Sequence, residues 1–375
     1  MEPVTHFLTG AALGRAFFNR KTALATFTAT LAAEAPDIDI VAYFGGSITG
    51  FAHHRGITHT FVGAPFMAAM VLAGVWALER MWLAKRREKR SGKGKWVPPP
   101  PNWKLLYLIA LIASFSHILL DFTNNYGVRP FSPFLHKWYA WDIIFIIDPY
   151  ILAALFFGLT LPAIFALVSE DIGARQKTSR GRFGAVFALA FIVCMWGFRD
   201  FQHRKAVGAM QALAYEGEDA IRARAFPRMF SPFDWYGVVE TRSAFHSMTV
   251  DSSTPDVDPD GRTEVRRKPP ESDVTLTAKE TRLGHFYLDW AAFPWIETEK
   301  LDTPEQQGYL VRFYDLRFMD PDPAGMVGDR SRRRTPLGAF VLLDRDLNVV
   351  QQDFSSRRQA QQRFGMDENG SEIRR

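Results

Sequence analysis

Long apolar runs broken by short polar stretches fill the first ~200 residues, and the remainder alternates as an ordinary water-soluble chain does. Residues 3–18 and 22–34 read as two short helices, because Ala, Leu, Phe and Gly recur there without the strict alternation of a strand. Asn19-Arg20-Lys21 is the polar tip between them. The pair predicts a helical hairpin that brings His6 back beside Asp37 and Asp39, with Pro36 ending the second helix. Four membrane spans are expected at 61–83, 105–120, 143–168 and 183–198. Pro65 falls near the start of its span, where proline is tolerated.

After residue 200 the pattern changes. Ala206 to Arg224 predicts an amphipathic helix. Strands are expected at Phe233 to Val239, Gly284 to Trp290, Tyr309 to Tyr314 and Gly338 to Leu343. The polar stretch Asp251 to Pro270 reads as a loop, and the charged C-terminus as a frayed end.

Composition changes this picture in two places. The net charge of +5 comes largely from the runs Lys85 to Lys95 and Arg175 to Arg182, which directly follow apolar spans. Such runs fix orientation in a membrane, and this argues against a nucleic-acid partner. Both runs then lie in the cytoplasm. Four spans then place residues 1–60, the loop 121–142 and everything after 200 on the outer side of the membrane. Pro98 to Pro101 is a stiff linker. The one cysteine, Cys194, allows neither an internal disulfide nor a thiolate zinc cluster. His6 and Arg15 interrupt any signal-like apolar core.

The candidate chemistry is His and Asp. His117 and Asp121 stand i, i+4 and share a helix face, where they can grip a metal ion or pair with each other. Asp37 and Asp39 follow the helix-ending proline. In a turn both can converge on a cation, capping being the ordinary alternative. Asp37 is the preferred ligand. His53, His54 and His59 cannot all face one point on a regular helix; His54 and His59 fit best, with Gly56 allowing a bend. Arg55 is either structural or a bidentate clamp for an anionic group such as phosphate. Asp142 and Asp148 are expected to orient ligand imidazoles. Imidazole with carboxylate suits zinc, with manganese or iron as alternatives. Such an ion lowers the pKa of a bound water to about 7 and polarises a phosphoryl or carbonyl oxygen. The chain carries no Gly-x-Ser-x-Gly elbow, P-loop or dinucleotide fingerprint.

Through Thr5-His6, Pro36-Asp37-Ile38-Asp39, His54-Arg55-Gly56-Ile57-Thr58-His59 and His117-Ile118-Leu119-Leu120-Asp121, the chain resembles the YdjM/YfhP-like family of membrane-bound metal-dependent hydrolases, some of which carry a LexA-binding label. The resemblance continues into Asn125-Tyr126-Gly127, Trp141-Asp142 and Asp148-Pro149, and covers roughly the first 200 residues. Phe230 to Trp235 is similar to the C-terminal extension of longer members. The family looks related to helical zinc-dependent phospholipases C and single-strand nucleases, which implies phosphoester hydrolysis. The later His-x-x-x-Glu pair of those enzymes is absent here.

The expected architecture is mainly α: a polytopic helical membrane bundle over 1–200, followed by a smaller β-rich (α+β) domain over 201–375. The expected function is hydrolysis of a phosphoester by a metal-activated water. Its substrate is a small molecule or a lipid head group reached laterally among membrane lipids. His6, Asp37, His54, His59, His117 and Asp121 are the expected metal ligands, with Asp39 and Arg55 as catalytic residues. The alternative is a non-enzymatic membrane protein with a structural or transport metal site. A structural site is closed, whereas a catalytic one leaves a coordination position open.

Overall fold

The computed structural model describes residues 1–83, 100–171, 181–303, 306–324 and 337–354. The basic runs at 85–95 and 175–180, the start of the proline linker and the charged C-terminal end lie outside the described residues. The chain divides into two compact units, Met1–Val41 with His53–Asp200, and Ala42–Ala52 with Phe201–Arg375.

The first unit opens with α1 (Pro3–Leu13), extended by a π-type turn, Gly14–Phe18, and packed against α2 (Ala25–Glu34). Gly10 and Gly14 make this hairpin close. A Cβ on Gly10 would lie 2.6 Å from Ala29 O, and one on Gly14 would lie 2.4 Å from Thr26 Cα. Small residues one turn apart let two backbones approach in this way. A 3-10 segment, Ala35–Gly45, and the short helix α3 (Ser47–His53) follow. They lead through a second 3-10 turn, Ile57–His59, into α4 (Gly63–Leu78). Among the described residues, α5 (Trp103–Thr123), α6 (Pro149–Asp171) and α7 (Arg182–Gln211) are the further helices of this part of the chain.

One core joins Ala25, Ala29, Ala32 and Ala33 of α2 to Val71 and Val75 of α4 and to Leu106, Ile109 and Ala113 of α5. The alanine face of α2 brings α5 so close that Ser114 Oγ reaches Ala32 O at 3.2 Å and His117 Nδ1 reaches Ala33 O at 2.6 Å. These carbonyls belong to the last turn of α2, where a helix leaves acceptors without intrahelical partners. A second core gathers Ala12 and Ala16 with Ile151, Leu155 and Leu159 of α6 and Ala185, Ala188 and Ile192 of α7.

Among the described residues, Gly63–Met81, Trp103–Thr123 and Arg182–Gln211 are long and apolar enough to cross a membrane. They fall on three of the four expected spans. The fourth, expected at 143–168, differs. Its helix begins only at Pro149, because the Asp148 carboxylate accepts from the Tyr150 and Ile151 N–H groups and caps α6 there. From there it runs to Asp171, past the expected end of that span.

The second unit is built on two antiparallel sheets and a small hairpin. The hairpin pairs β1 (Ala214–Tyr215) with β2 (Glu218–Asp219). The first sheet has β3 (Arg222–Pro227), β4 (Asp234–Glu240), β5 (Ala244–Asp251) and β6 (Asp256–Val257) in that order, with β7 (Glu264–Arg267) also on β5. The helices α8 (Asp273–Lys279) and α9 (Arg282–Trp290) come next. The second sheet runs in the order β11-β10-β9-β8, formed by β8 (Pro294–Thr303), β9 (Gln306–Asp315), β10 (Ala339–Leu343) and β11 (Val349–Phe354). Phe226, Tyr236, Val238 and Phe245 of the first sheet share a core with Phe293 and Leu316.

Three expectations are corrected in this unit. Gly284 to Trp290 is helical, because Thr281 caps Gly284 N and the buried Leu283, Tyr287 and Trp290 recur at helical spacing. Ala206 to Arg224 is helical only to Gln211. Glu216 and Gly217 then take positive φ of 52° and 83° and turn the chain into the β1–β2 hairpin. The stretch Asp251 to Pro270 contains β6 and β7 rather than loop alone.

The segment 42–52, expected in the first domain, packs in the second unit instead. Phe51 is its anchor. Its buried ring lies 4.5, 5.2 and 6.2 Å from the rings of Phe354, Trp290 and Tyr287. Ser47 Oγ donates to Asp353, and Arg282 reaches Thr49 Oγ1 at 3.4 Å. Removing the ring leaves a cavity among three aromatics, so Phe51→Ala should destabilise the unit by about 3–5 kcal/mol. The thermal midpoint of the full chain in detergent micelles should fall, and an unchanged midpoint would contradict this packing.

Candidate metal centre

Four side chains from three separate stretches converge in the first unit. His117 and Asp121 come from the last two turns of α5, Asp37 from the 3-10 segment after α2, and His59 from the 3-10 turn before α4. One ligand atom from each lies within 4.8 Å of all the others. His117 Nε2 is 3.0 Å from His59 Nε2. Asp37 Oδ1 is 3.3 Å from His59 Nε2 and 3.5 Å from His117 Nε2. Asp121 Oδ2 is 3.4 Å from both imidazole nitrogens. Corners of a tetrahedron stand about 3.3–3.4 Å apart when its centre is about 2.0–2.1 Å from each, the bond length of zinc to nitrogen or oxygen. These spacings therefore suit a single divalent ion.

The outward-facing atoms support the same assignment. His117 Nδ1 must donate to the Ala33 carbonyl, which leaves Nε2 as the lone-pair nitrogen facing the centre. His59 Nδ1 lies 3.2 Å from Asp39 Oδ2, the carboxylate–imidazole contact that orients metal-binding histidines. Asp121 Oδ2 is buried without a hydrogen-bond partner, so this lone-pair oxygen is free to meet a cation. The donor set of two imidazoles and two carboxylates suits zinc, manganese or iron.

Local backbone chemistry holds His59 in place. Thr60 Oγ1 accepts from Gly63 N at 2.8 Å and donates to Ile57 O at 2.8 Å, tying the turn to the first residue of α4. A Cβ on Gly63 would come within 1.8 Å of Ile57 O, so only glycine permits this approach. Arg55 adopts a positive φ of 52°, an uncommon conformation for a residue with a side chain. It is held there by its N–H bond of 2.7 Å to Asp39 Oδ2.

The remaining expected site residues surround this centre. His6 stacks on His117 at 3.7 Å, and its Nε2 lies 3.4 Å from Asp121 Oδ1. The Met1 amino nitrogen donates to that oxygen and lies 3.0 Å from His6 Nε2. His54 stands apart from the four donors, with its Nδ1 3.3 Å from Asp39 Oδ1. Asp39 serves both His54 and His59 and touches Thr58 Oγ1 at 3.4 Å. Arg55 is buried, and its guanidinium donates to Asp121 Oδ1 at 2.8 Å, Gly127 O at 2.9 Å and Asn124 Oδ1 at 3.3 Å. It also stacks 4.6 Å over Tyr126. Asp148, expected to orient an imidazole, caps α6 and pairs with Arg199 at 3.4 Å instead.

Charge at the site follows from these contacts. Burial alone would depress His59, but Asp121, Asp37 and Asp39 outweigh it and push its pKa up to about 10. Burial would raise Asp37 and Asp39. Hydrogen bonds from His117 and His59 to the first, and from His54 and His59 to the second, hold both below the ordinary carboxylate range. Sequence reasoning missed Glu34. Its carboxyl is pushed up to about 7 by burial and then by the charge of Asp37. Its signal was its place at the end of α2, three residues before Asp37 and next to the carbonyl that orients His117.

A helical protein with spans of membrane length and a buried two-histidine, two-aspartate site able to hold a metal ion is the class that fold and cluster define. The sequence model of the YdjM inner membrane protein family matches residues 1–206, more than half of the chain, and the chain belongs to that family. It is 24% identical over 359 residues to the uncharacterized protein YfhP of Bacillus subtilis (strain 168), with 93% of each chain covered. No solved structure matches it.

His117→Gln and Asp121→Asn should each lose bound metal in correctly folded, monodisperse protein, whereas Asp39→Asn should keep the stoichiometry and weaken affinity by about 10–100-fold. Elemental analysis and competition with a chelator measure both, and full metal retention in the first two variants would remove α5 from the site. Below about pH 10 an ion must displace the His59 proton. Metal binding at neutral pH should therefore release protons and tighten as pH rises. Calorimetry in buffers of different ionisation enthalpy reads the release, and pH-independent binding without proton release would contradict a protonated His59 in the metal-free site.

Proposed function

We propose that this protein is a membrane-bound, metal-dependent hydrolase of phosphoesters. The observation that carries this reading is a surplus of chemistry. His6, Glu34 and Arg55 crowd a centre that Asp37, His59, His117 and Asp121 suffice to hold. Such clustering of perturbed titratable groups marks functional sites more often than structural ones. Bound among the four donors, a divalent ion would supply Lewis-acid polarisation of a phosphoryl oxygen and acidify water there. Asp39 fixes the His59 ring. Arg55 fixes Asp121, and its buried Nε has no hydrogen-bond partner, leaving one donor for a phosphoryl oxygen. Glu34, whose carboxyl is raised by burial and by the charge of Asp37 in the metal-free site, is the acid we assign to protonate a departing alkoxide. In the topology we favour, the chain crosses the inner membrane several times, the basic runs face the cytoplasm and the site faces outward.

A second reading rests on one specific observation. Four protein donors enclosing one point is the arrangement of a closed structural zinc site. The two readings separate in one experiment on purified full-length protein loaded with zinc or manganese and given bis(p-nitrophenyl) phosphate. A hydrolase should release p-nitrophenol, and Arg55→Lys should cut turnover by about 10²-fold or more with metal content unchanged, because lysine cannot reproduce the planar fork. Full metal occupancy with no turnover under either metal would support the structural site.

A further inference from the structure

The proposed hydrolase site has an open side, and its position says what enters. His6, His59, His117 and Asp121 are completely or almost completely buried. The partly exposed side chains at the centre and its edge are Asp37 and His54, each at 27%. The residues beside these two are apolar and outward-facing. After Asp37 the chain alternates, with Ile38 exposed, Asp39 buried, and Ile40 at 67% exposure followed by exposed Val41. After His54 the next exposed apolar residue is Ile57, at 58%.

These side chains sit on irregular 3-10 segments, where a water-facing lip would be polar. Several exposed apolar side chains beside such a site point to contact with a membrane or ligand. The surface continues toward the spans. Phe61, exposed just before α4, bonds through its N–H to Pro130 O at 2.9 Å and meets the exposed Phe131 ring at 5.3 Å. Exposed Ile38, Ile40 and Val41 thus follow Asp37, and exposed Ile57 and Phe61 lead from His54 along the chain into the helix with the composition of a membrane span.

We infer that the substrate is a phosphoester lipid of the bilayer. It enters past Ile38, Ile40 and Ile57 with its acyl chains on the apolar lip and its phosphate toward Asp37 and His54. This rests on the hydrolase reading and narrows its substrate class. A soluble phosphoester would gain nothing from the lip, whereas a lipid keeps its chains in an apolar environment while its head group reaches the donors.

The test uses the full chain reconstituted in vesicles of phosphatidylethanolamine and phosphatidylglycerol that contain a phospholipid with a photoreactive acyl chain. Illumination should label the peptides carrying residues 38–41 and 57, with or without metal. The zinc- or manganese-loaded protein should hydrolyse the vesicle lipid faster than bis(p-nitrophenyl) phosphate. The double variant Ile40→Ser, Val41→Ser should lose about tenfold or more of lipid turnover, at least the scale of one apolar contact, with metal content and diester turnover unchanged. Label confined to the spanning helices, or a double variant that turns over lipid normally, would overturn the lipid assignment and leave the hydrolase reading standing. Cross-links from the lip to a second copy of the chain would overturn it as well, making the lip a subunit interface. Hydrolysis of neither substrate would overturn both readings.

Discussion

The first unit is organised by the need to keep one buried carboxylate charged. Asp121 lies at the end of an apolar helix, out of contact with water. Its charge would be untenable there without compensating partners. One oxygen is met by the Arg55 guanidinium and the Met1 amino group, and the other faces the His59 and His117 nitrogens. Each partner needs its own support. Arg55 stays in a left-handed backbone conformation because Asp39 binds its N–H, and His117 keeps its tautomer because α2 ends with a free carbonyl beside it. The close hairpin, the 3-10 turns and the glycine at the start of α4 bring these partners within reach.

Several of these features are legible in the sequence. The i, i+4 spacing of His117 and Asp121 implies their shared face, and the hairpin return brings His6 back to the site, where it meets His117 and Asp121. The lengths of the apolar runs mark the three described helices long and apolar enough to cross a membrane. Other features depend on packing that no local pattern encodes. His54 and His59 are equivalent by residue type, and only the turn locked by Thr60 and Gly63 decides that His59 faces the centre. Glu34 reads as an unremarkable helix-end acid until α2 is packed and its carboxyl is desolvated beside Asp37. The helix at 282–290 reads as a strand because its aromatic-rich composition masks its helical spacing.

The ligand-bearing stretches are tied to the second unit by chain continuity. Asp37 and Asp39 precede the segment 42–52 and His59 follows it, and that segment folds with the second unit through Phe51. The β-rich unit is therefore connected on both sides to the loops that carry half of the donors.

X-ray absorption at the edge of the bound metal tests the central claim most directly, because it reads the ligand atoms themselves. The zinc-loaded full-length protein should show a first shell of nitrogen and oxygen at about 2.0–2.1 Å, with outer-shell scattering from two imidazole rings and no sulfur. A shell containing sulfur, or one of oxygen alone without imidazole scattering, would contradict a centre built from His59, His117, Asp37 and Asp121.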